Sequence, residues 1–269
     1  MERFVPPAQR LFDDPIVLDL LPPIARFLLR TSAGRAAVAA LSDTVAPGVR
    51  GALLCRTRRI DDAVRDCIAR GLGMLVILGA GLDTRAYRLR ELAGVRILEL
   101  DLPEVQEFKK ACLSRRFGGP PPQVRFVPVD FNSEALDQAL ARGGFPAEPA
   151  VFVWEGVSQY LPPATVDGVL RTIAGRPAGT ELIFTYVLEE VITGNFRPDR
   201  SKAFRKSARS RPEPWLFGIA PAQLKDYLAA RGLALRSDFG ADEYQAQYLR
   251  PIGRRLEVSE IERVATATV

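Results

Sequence analysis

Five short, nearly unbroken apolar runs separated by helix-forming stretches constrain this chain more than any other feature. Met74–Leu78 (MLVIL) is bounded by glycines and apolar at every position, the pattern of a strand covered on both faces. Val95–Leu100, Val124–Val129, Ala150–Trp154 and Glu181–Val187 read in the same way. Between them, Thr84–Leu92, Glu104–Phe117, Glu134–Ala141 and Ala164–Ala174 suit helices. Strand alternating with helix predicts βαβ units and a parallel sheet covered on both sides. The tail repeats the alternation, with a helix at Pro221–Arg231 and strands at Ala234–Asp238 and Gln245–Arg250. Residues 1–70 carry helical spacing, punctuated by Pro22-Pro23 and Pro47-Gly48 into two or three helices. The expected architecture is α/β: one doubly wound, mostly parallel sheet in a single domain, which 269 residues accommodate. Residues 1–70 form a helical cap, 71–187 the core, 188–220 an insertion, and 221–269 complete the sheet.

Not one histidine occurs in the chain. Ser-His-Asp and Cys-His nucleophiles are therefore excluded, as is imidazole acting as metal ligand or as proton shuttle near neutrality. Cys55, Cys67 and Cys112 are odd in number and form no C-x-x-C, which argues against a disulfide framework or a zinc cluster and for a reducing cytosol. The N-terminal MERFVPPAQRLFDDP lacks the basic and apolar regions of a signal peptide. No apolar run approaches the roughly 18–20 residues of a membrane span. A cytoplasmic protein without a membrane partner is expected.

The net charge of +5 is concentrated. Arg197, Arg200, Lys202, Arg205, Lys206, Arg209 and Arg211 meet a single acid, Asp199, within fifteen residues, so the rest of the chain is close to neutral. Only Phe196 and Phe204 interleave with these charges, too few for the stacking platforms of a single-strand nucleic-acid groove. The segment reads either as a solvated face or as a lid that attracts an anionic substrate.

Chemistry-bearing residues gather where the strands end. The first strand runs into Leu78-Gly79-Ala80-Gly81-Leu82-Asp83-Thr84, a tight turn that lets a ligand approach the backbone, with Asp83 or Thr84 able to cap the next helix. A dinucleotide fingerprint wants glycine or alanine at position 84, so Thr84 disfavours NAD and suits a nucleoside ligand without pyrophosphate. Alone, such a turn is also no more than a tight connection. The second strand ends in Asp101, 20 residues past Gly81, the spacing of a carboxylate that reaches a ribose diol. The third ends in Asp130-Phe131, a carboxylate beside an aromatic that suits an adenine amino group and ring face. The fourth ends in Glu155. Open α/β sheets bind ligands at this edge.

LGAGLDTRAYRL, ELDLPEV, VPVDF and EGVSQYL, in this order and spacing, closely resemble the S-adenosylmethionine-dependent methyltransferases of the leucine carboxyl methyltransferase family, nearest the bacterial branch that includes polyketide-type O-methyltransferases. LFDDP (11–15), CRTRRIDD (55–62), EPWLFGI (213–219) and LAARGL (228–233) extend the resemblance over nearly the whole chain. It implies a Rossmann-like class I methyltransferase fold with S-adenosyl-L-methionine as cofactor. By motif, Arg56 pairs with the methionine carboxylate, with Arg58 or Arg59 as substitutes should the helix turn differently. Gly79, Ala80 and Gly81 pass beneath the amino-acid portion. Asp101 takes the ribose hydroxyls with Leu102 beside it, Asp130 and Phe131 frame the adenine, and Glu155 sits beside the amino group. Arg85 reads as a surface or lid-facing ion-pair residue. Tyr160 and Tyr186 are the candidates for positioning the methyl acceptor, and Arg200 in the basic insertion is a further substrate contact. Trp215 and Phe217 anchor the insertion to the core. No metal is implied.

The chemistry implied by the resemblance fits a protein without histidine. A carboxylate acceptor, pKa near ~4, is already ionised at neutral pH, so catalysis reduces to in-line positioning and desolvation, which in well-oriented systems are worth roughly 7–11 kcal/mol. A phenol, pKa about 10, needs a base or cationic neighbour, and none stands out in the sequence. The expected reaction is methylation of a small-molecule carboxylate of natural-product type to its methyl ester. Alternatives are a non-catalytic or repurposed S-adenosylmethionine-binding protein and a methyltransferase acting on a protein C-terminal carboxylate.

Overall fold

The computed structural model describes residues 2–196 and 214–269. The basic stretch Arg197–Arg211, with Arg200, lies outside the described residues. Seven strands form one sheet in the order β3-β2-β1-β4-β5-β7-β6: β1 Met74–Leu78, β2 Arg96–Asp101, β3 Val124–Pro128, β4 Val151–Trp154, β5 Glu181–Val187, β6 Ala234–Phe239 and β7 Glu262–Thr268. The first five run parallel, and β7 inserts antiparallel between β5 and β6. The apolar runs read from the sequence are these five strands. Every residue of β1 is buried, because both faces of a central parallel strand carry helices.

Period-two alternation sends successive side chains to opposite faces. Val76, Leu78, Phe152, Trp154, Phe184 and Tyr186 pack on one side, against α7 (Leu136–Arg142) and α8 (Pro163–Ala174). Leu75, Ile77, Val151, Val153, Ile183 and Val264 pack on the other, against α4 (Val49–Ala69), whose Cys55, Ile60, Ala63, Val64 and Cys67 recur at helical spacing. Burial pushes the thiols of Cys55 and Cys67 up to about 12 and about 11, which leaves both unreactive near neutrality. The N-terminal part adds α1 (Val17–Leu20), α2 (Pro23–Arg30) and α3 (Ser32–Val45). No residue of α2 or α3 is buried, and Ile24, Phe27 and Leu41 are exposed. Among the described residues no single helix is long and apolar enough to cross a membrane.

Two expectations fail. The strand placed at Gln245–Arg250 is a π-helical turn, Gln245–Leu249, followed by a 3₁₀ turn; the last strand lies instead at Glu262–Thr268, a Thr- and Ala-rich segment with no conspicuous apolar run. The helix expected over Thr84–Leu92 is only α5 (Arg85–Arg88) and a 3₁₀ turn, Arg90–Leu92. Its side chains are consumed by ion pairs rather than by an extended apolar face.

Candidate functional site

Because β1 lies between β2 and β4, the chain leaves β1 toward one side of the sheet and returns at β4 on the other, opening a crevice at their carboxyl ends. Gly79 and Gly81 turn the chain out of β1 with φ of +65° and +40°, values that side chains with a Cβ rarely adopt. A Cβ on Gly79 would stand 2.3 Å from Cγ2 of Val157, in the loop after β4, so the two loops interlock where the glycine lacks a side chain. The carboxylate of Asp101 accepts from the backbone N–H of Gly81 through Oδ2 and from that of Leu102 through Oδ1, at 2.7 Å. Asp101 thus braces the turn from the tip of β2. Beneath it, the buried Lys109 of α6 (Pro103–Phe117) lies 2.7 Å from Glu99 Oε2 and 3.5 Å from the carbonyl of Ala80. Tyr87 donates to Glu99 at 2.9 Å. Burial raises the Glu99 carboxyl to about 7 against the pull of Lys109.

Beside the turn, a cavity of 400 Å³ is lined by Arg56, the 79–83 turn, Arg85, Arg88, Glu155 and the N-terminal Phe12 and Asp14. Its floor is ionic. Arg85 is only 3% exposed and holds Asp61 at 2.8 Å, Asp83 at 2.5 Å and Glu155 at 2.5 Å. Arg88 clasps the fully buried Asp61 with both terminal nitrogens, at 2.6 and 2.8 Å, and takes Thr84 Oγ1 at 2.9 Å. Thr84 in turn donates to Asp14 at 2.6 Å, tying the N-terminal segment to the turn. Arg56 donates to Glu155 at 2.7 Å and to Glu262 at 2.6 Å, leaving Nη2 without a partner among the described residues. Burial works to raise the Glu155 carboxyl, but Arg85 and Arg56 outweigh it and hold it at about 2. Burial opposes the charge of Arg56, and Glu262 and Glu155 more than restore it.

A second cavity, of 350 Å³, shares the Arg56–Glu155 pair as a wall. Gln159, Tyr160, Trp215, Ser259 and Glu262 line it, with Val49, Leu53 and Ile261 on its apolar side. Gln159 also fixes Trp215 from behind, since its carbonyl accepts from the N–H groups of Leu216, at 2.6 Å, and Phe217, at 3.3 Å. The two cavities meet at one ion pair.

The structure therefore gathers Arg56, Gly79, Ala80, Gly81 and Glu155 around one cavity, with Asp101 bracing it. Leu102 stands partly exposed at the tip of β2. Asp130 accepts from Asn132 at 2.9 Å, and Phe131 packs on the core beside it, both off the lining of this cavity. Tyr160 lines the second cavity, but Tyr186 does not. It is fully buried on the opposite face of the sheet from Val187 and Glu262, and its hydroxyl donates to Asp238 at 2.9 Å. Arg85 is no surface residue but the centre of the buried network. Arg58 pairs with Asp62 and Arg59 lies over Phe239, and neither lines the first cavity. Asp83, not Thr84, accepts the N–H of Arg85, at 2.7 Å. Phe217 packs against the core at Tyr227, and Trp215 packs at the second cavity. Sequence reasoning missed Asp61, Arg88, Gln159 and Glu262. Asp61 did leave a signal, a carboxylate between Ile60 and Ala63 on the apolar face of α4. Glu262 left none while the last strand was misplaced.

A family profile described as leucine carboxyl methyltransferase matches residues 1–174. A protein of Mycobacterium tuberculosis, provisionally named as an S-adenosyl-L-methionine-dependent methyltransferase, is 39% identical over 177 residues, 64% of this chain and 57% of that relative. A protein of Mycolicibacterium vanbaalenii with the same provisional name is 33% identical over 207 residues, 75% of this chain and 67% of its own. The chain thus spans little more than half the length of the first of these relatives. Among solved structures, a provisionally described methyltransferase of Thermobifida fusca superposes over 98% of both chains with a TM-score of 0.60 at 18% identity. A Streptomyces avermitilis protein covers 91% of this chain and 95% of its own with a TM-score of 0.58 at 17% identity. At these identities the solved structures speak for the Rossmann-like fold alone.

Proposed function

The chain belongs to the leucine carboxyl methyltransferase family, and from that membership and the geometry of its site we propose that it transfers a methyl group from S-adenosylmethionine to an oxygen of a small molecule. The observation that carries this reading is the meeting of two cavities at the Arg56–Glu155 pair: one lies beside a glycine turn braced by Asp101, the other has room for an acceptor. The residues fit the cofactor. Arg56 has Nη2 to offer a carboxylate, and Glu155, held ionised, can face an ammonium. The two already neutralise each other, so a bound zwitterion exchanges one ion pair for two and strands no charge. Gly79–Gly81 gives backbone access, Asp101 is the group for the ribose, and the exposed Leu82 and Leu102 offer walls for the base, with Asp130 and Phe131 outside the cavity lining after the neighbouring β3. When bound, the cofactor supplies a methyl group made electrophilic by its sulfonium.

What the protein adds is placement and exclusion of water. Tyr160 and Trp215 enclose the second cavity, and the absence of histidine is no handicap to chemistry that rests on alignment. A carboxylate acceptor supplies its own charge, the ground on which the sequence favours one; a hydroxyl acceptor needs a group to receive its proton, and Glu262 lines the cavity where that is needed. Calorimetric titration with S-adenosylmethionine, followed by mass spectrometry on a panel of carboxylic acids and hydroxyl compounds, tests the proposal. Binding and a methyl-for-hydrogen gain in mass are expected. Failure to bind refutes the enzyme reading, whereas binding with no product across the panel supports a non-catalytic cofactor-binding protein.

A further inference from the structure

We infer that Arg85 is a positioning residue for the amino-acid portion of the cofactor, holding Glu155 in place to receive the ammonium while Arg56 is left to meet the carboxylate; this rests on the methyltransferase reading and adds a residue to its site. Glu155 follows β4 and lines the cavity beside the glycine turn, with 16% of its side chain exposed. Its two oxygens are held from two elements. Oε1 accepts from Nε of Arg56 on α4 at 2.7 Å, and Oε2 accepts from Nη1 of Arg85 on α5 at 2.5 Å. A hold on both oxygens fixes the plane of the carboxylate, and each oxygen has a second lone pair for an incoming ammonium.

Arg56 cannot do this alone. Its Nε and Nη1 serve Glu155 and Glu262, and Nη2 is the nitrogen assigned above to the cofactor carboxylate. A shift of this guanidinium toward that carboxylate would pull Glu155 with it and spoil the placement of the ammonium. Arg85 resists the pull because it is itself pinned. Its Nε donates to Asp61 at 2.8 Å and its Nη1 also donates to Asp83 at 2.5 Å. Asp61, fully buried on α4, is gripped in turn by both terminal nitrogens of Arg88. With 3% of its side chain exposed, Arg85 has little surface to offer a ligand, so its effect passes through Glu155. The group proposed for the ribose is braced separately, by the bonds of Asp101 to the N–H groups of Gly81 and Leu102. Asp83 bonds the backbone N–H at position 85, which remains whatever side chain stands there. Recognition of the amino-acid portion and of the nucleoside should therefore separate when the Arg85 side chain is changed.

S-Adenosylhomocysteine and 5′-methylthioadenosine share the nucleoside and the thioether sulfur and differ in the amino-acid portion, so calorimetric titration of the full chain with each reads the two recognitions apart. Arg85→Lys keeps the charge, but a compact ammonium cannot span Asp61, Asp83 and Glu155. It should weaken S-adenosylhomocysteine about tenfold and leave 5′-methylthioadenosine within about twofold. Glu155→Gln should show the same selectivity, and the double variant should lose no more than Glu155→Gln alone, because the two residues act as one unit. Equal weakening of both ligands marks a merely structural role and overturns the inference, as do unchanged binding of S-adenosylhomocysteine and losses that add in the double variant. If 5′-methylthioadenosine binds too weakly to measure, the cycle on S-adenosylhomocysteine decides alone. Should Arg85→Lys fail to fold, Asp61→Asn, which keeps the shape of the side chain that anchors Arg85, carries the same expectation and the same refutation. Failure of S-adenosylhomocysteine to bind the unmodified chain refutes the methyltransferase reading itself. Binding no tighter than that of 5′-methylthioadenosine overturns the inference and leaves that reading in place.

Discussion

Replacing Arg85 by methionine should destabilise the protein by about 3–5 kcal/mol at pH 7, the usual cost of removing one partner from a buried ionic group. Three carboxylates depend on this guanidinium: Asp61, at no exposure, Asp83 and Glu155. Arg88 still serves Asp61 and Arg56 still serves Glu155, but Asp83 keeps no other salt bridge among the described residues. The part due to Glu155 can be worked out separately. Its carboxyl is held at about 2 in the folded chain against an ordinary 4.5, a shift worth about 3 kcal/mol that Arg85 shares with Arg56, so part of it goes with Arg85; the group is nearly buried, so solvent screens little of it. A depressed folded pKa stabilises above the unfolded value and loses that stabilisation as pH falls through the folded one. The difference between the two proteins should therefore be largest near neutrality and shrink between pH 4.5 and about 2. Urea unfolding across this range measures it, and thermal unfolding at pH 7 should show a fall of about 6–20 °C. A loss below about 1 kcal/mol, or one independent of pH, would mean that the network contributes packing rather than charge compensation.

Asp101→Ala should weaken S-adenosylhomocysteine binding about 10- to 100-fold by calorimetry, since it removes both the proposed ribose acceptor and the brace on Gly81; unchanged affinity refutes the assignment. Lys109→Met should cost about 3–5 kcal/mol at pH 8 and markedly less at pH 5, because it strands a buried carboxylate. The sign follows from Glu99: a carboxyl raised to about 7 costs stability as pH rises from 4.5 through 7, and without Lys109 it rises further. Equal costs at the two pH values in chemical denaturation would exclude ionised Glu99 as the cause. Gly79→Ala should lose about 1–3 kcal/mol from its left-handed backbone and more from the contact with Val157; adding Val157→Ala should recover the steric part alone, read by the same unfolding curves.

The five parallel strands were legible because a strand buried on both faces needs apolar residues at every position, and Met74–Leu78 and Ala150–Trp154 announce that without context. The glycine turn and Asp101 were legible because their spacing follows from the βαβ unit itself. What the sequence hid was partnership. Arg85 has the look of a surface residue until Asp61, 24 positions earlier, is brought beneath it. Tyr186 sits at the expected sheet edge but on the other face, a matter of strand parity that its position relative to the motif does not disclose. Glu262 was out of reach because β7 is built from Thr and Ala and borrows its burial from β5 and β6 on either side.

The lateral pairing of β7 also carries chemical information. Glu262 lies opposite Val187 and points toward Arg56, while the next residue, Arg263, faces the other layer and holds Asp238 at 2.9 Å. A slip of one residue in this ladder would exchange a carboxylate for a guanidinium at the cavity wall, with no change of composition. The alignment of two neighbouring strands is in that sense a selectivity setting.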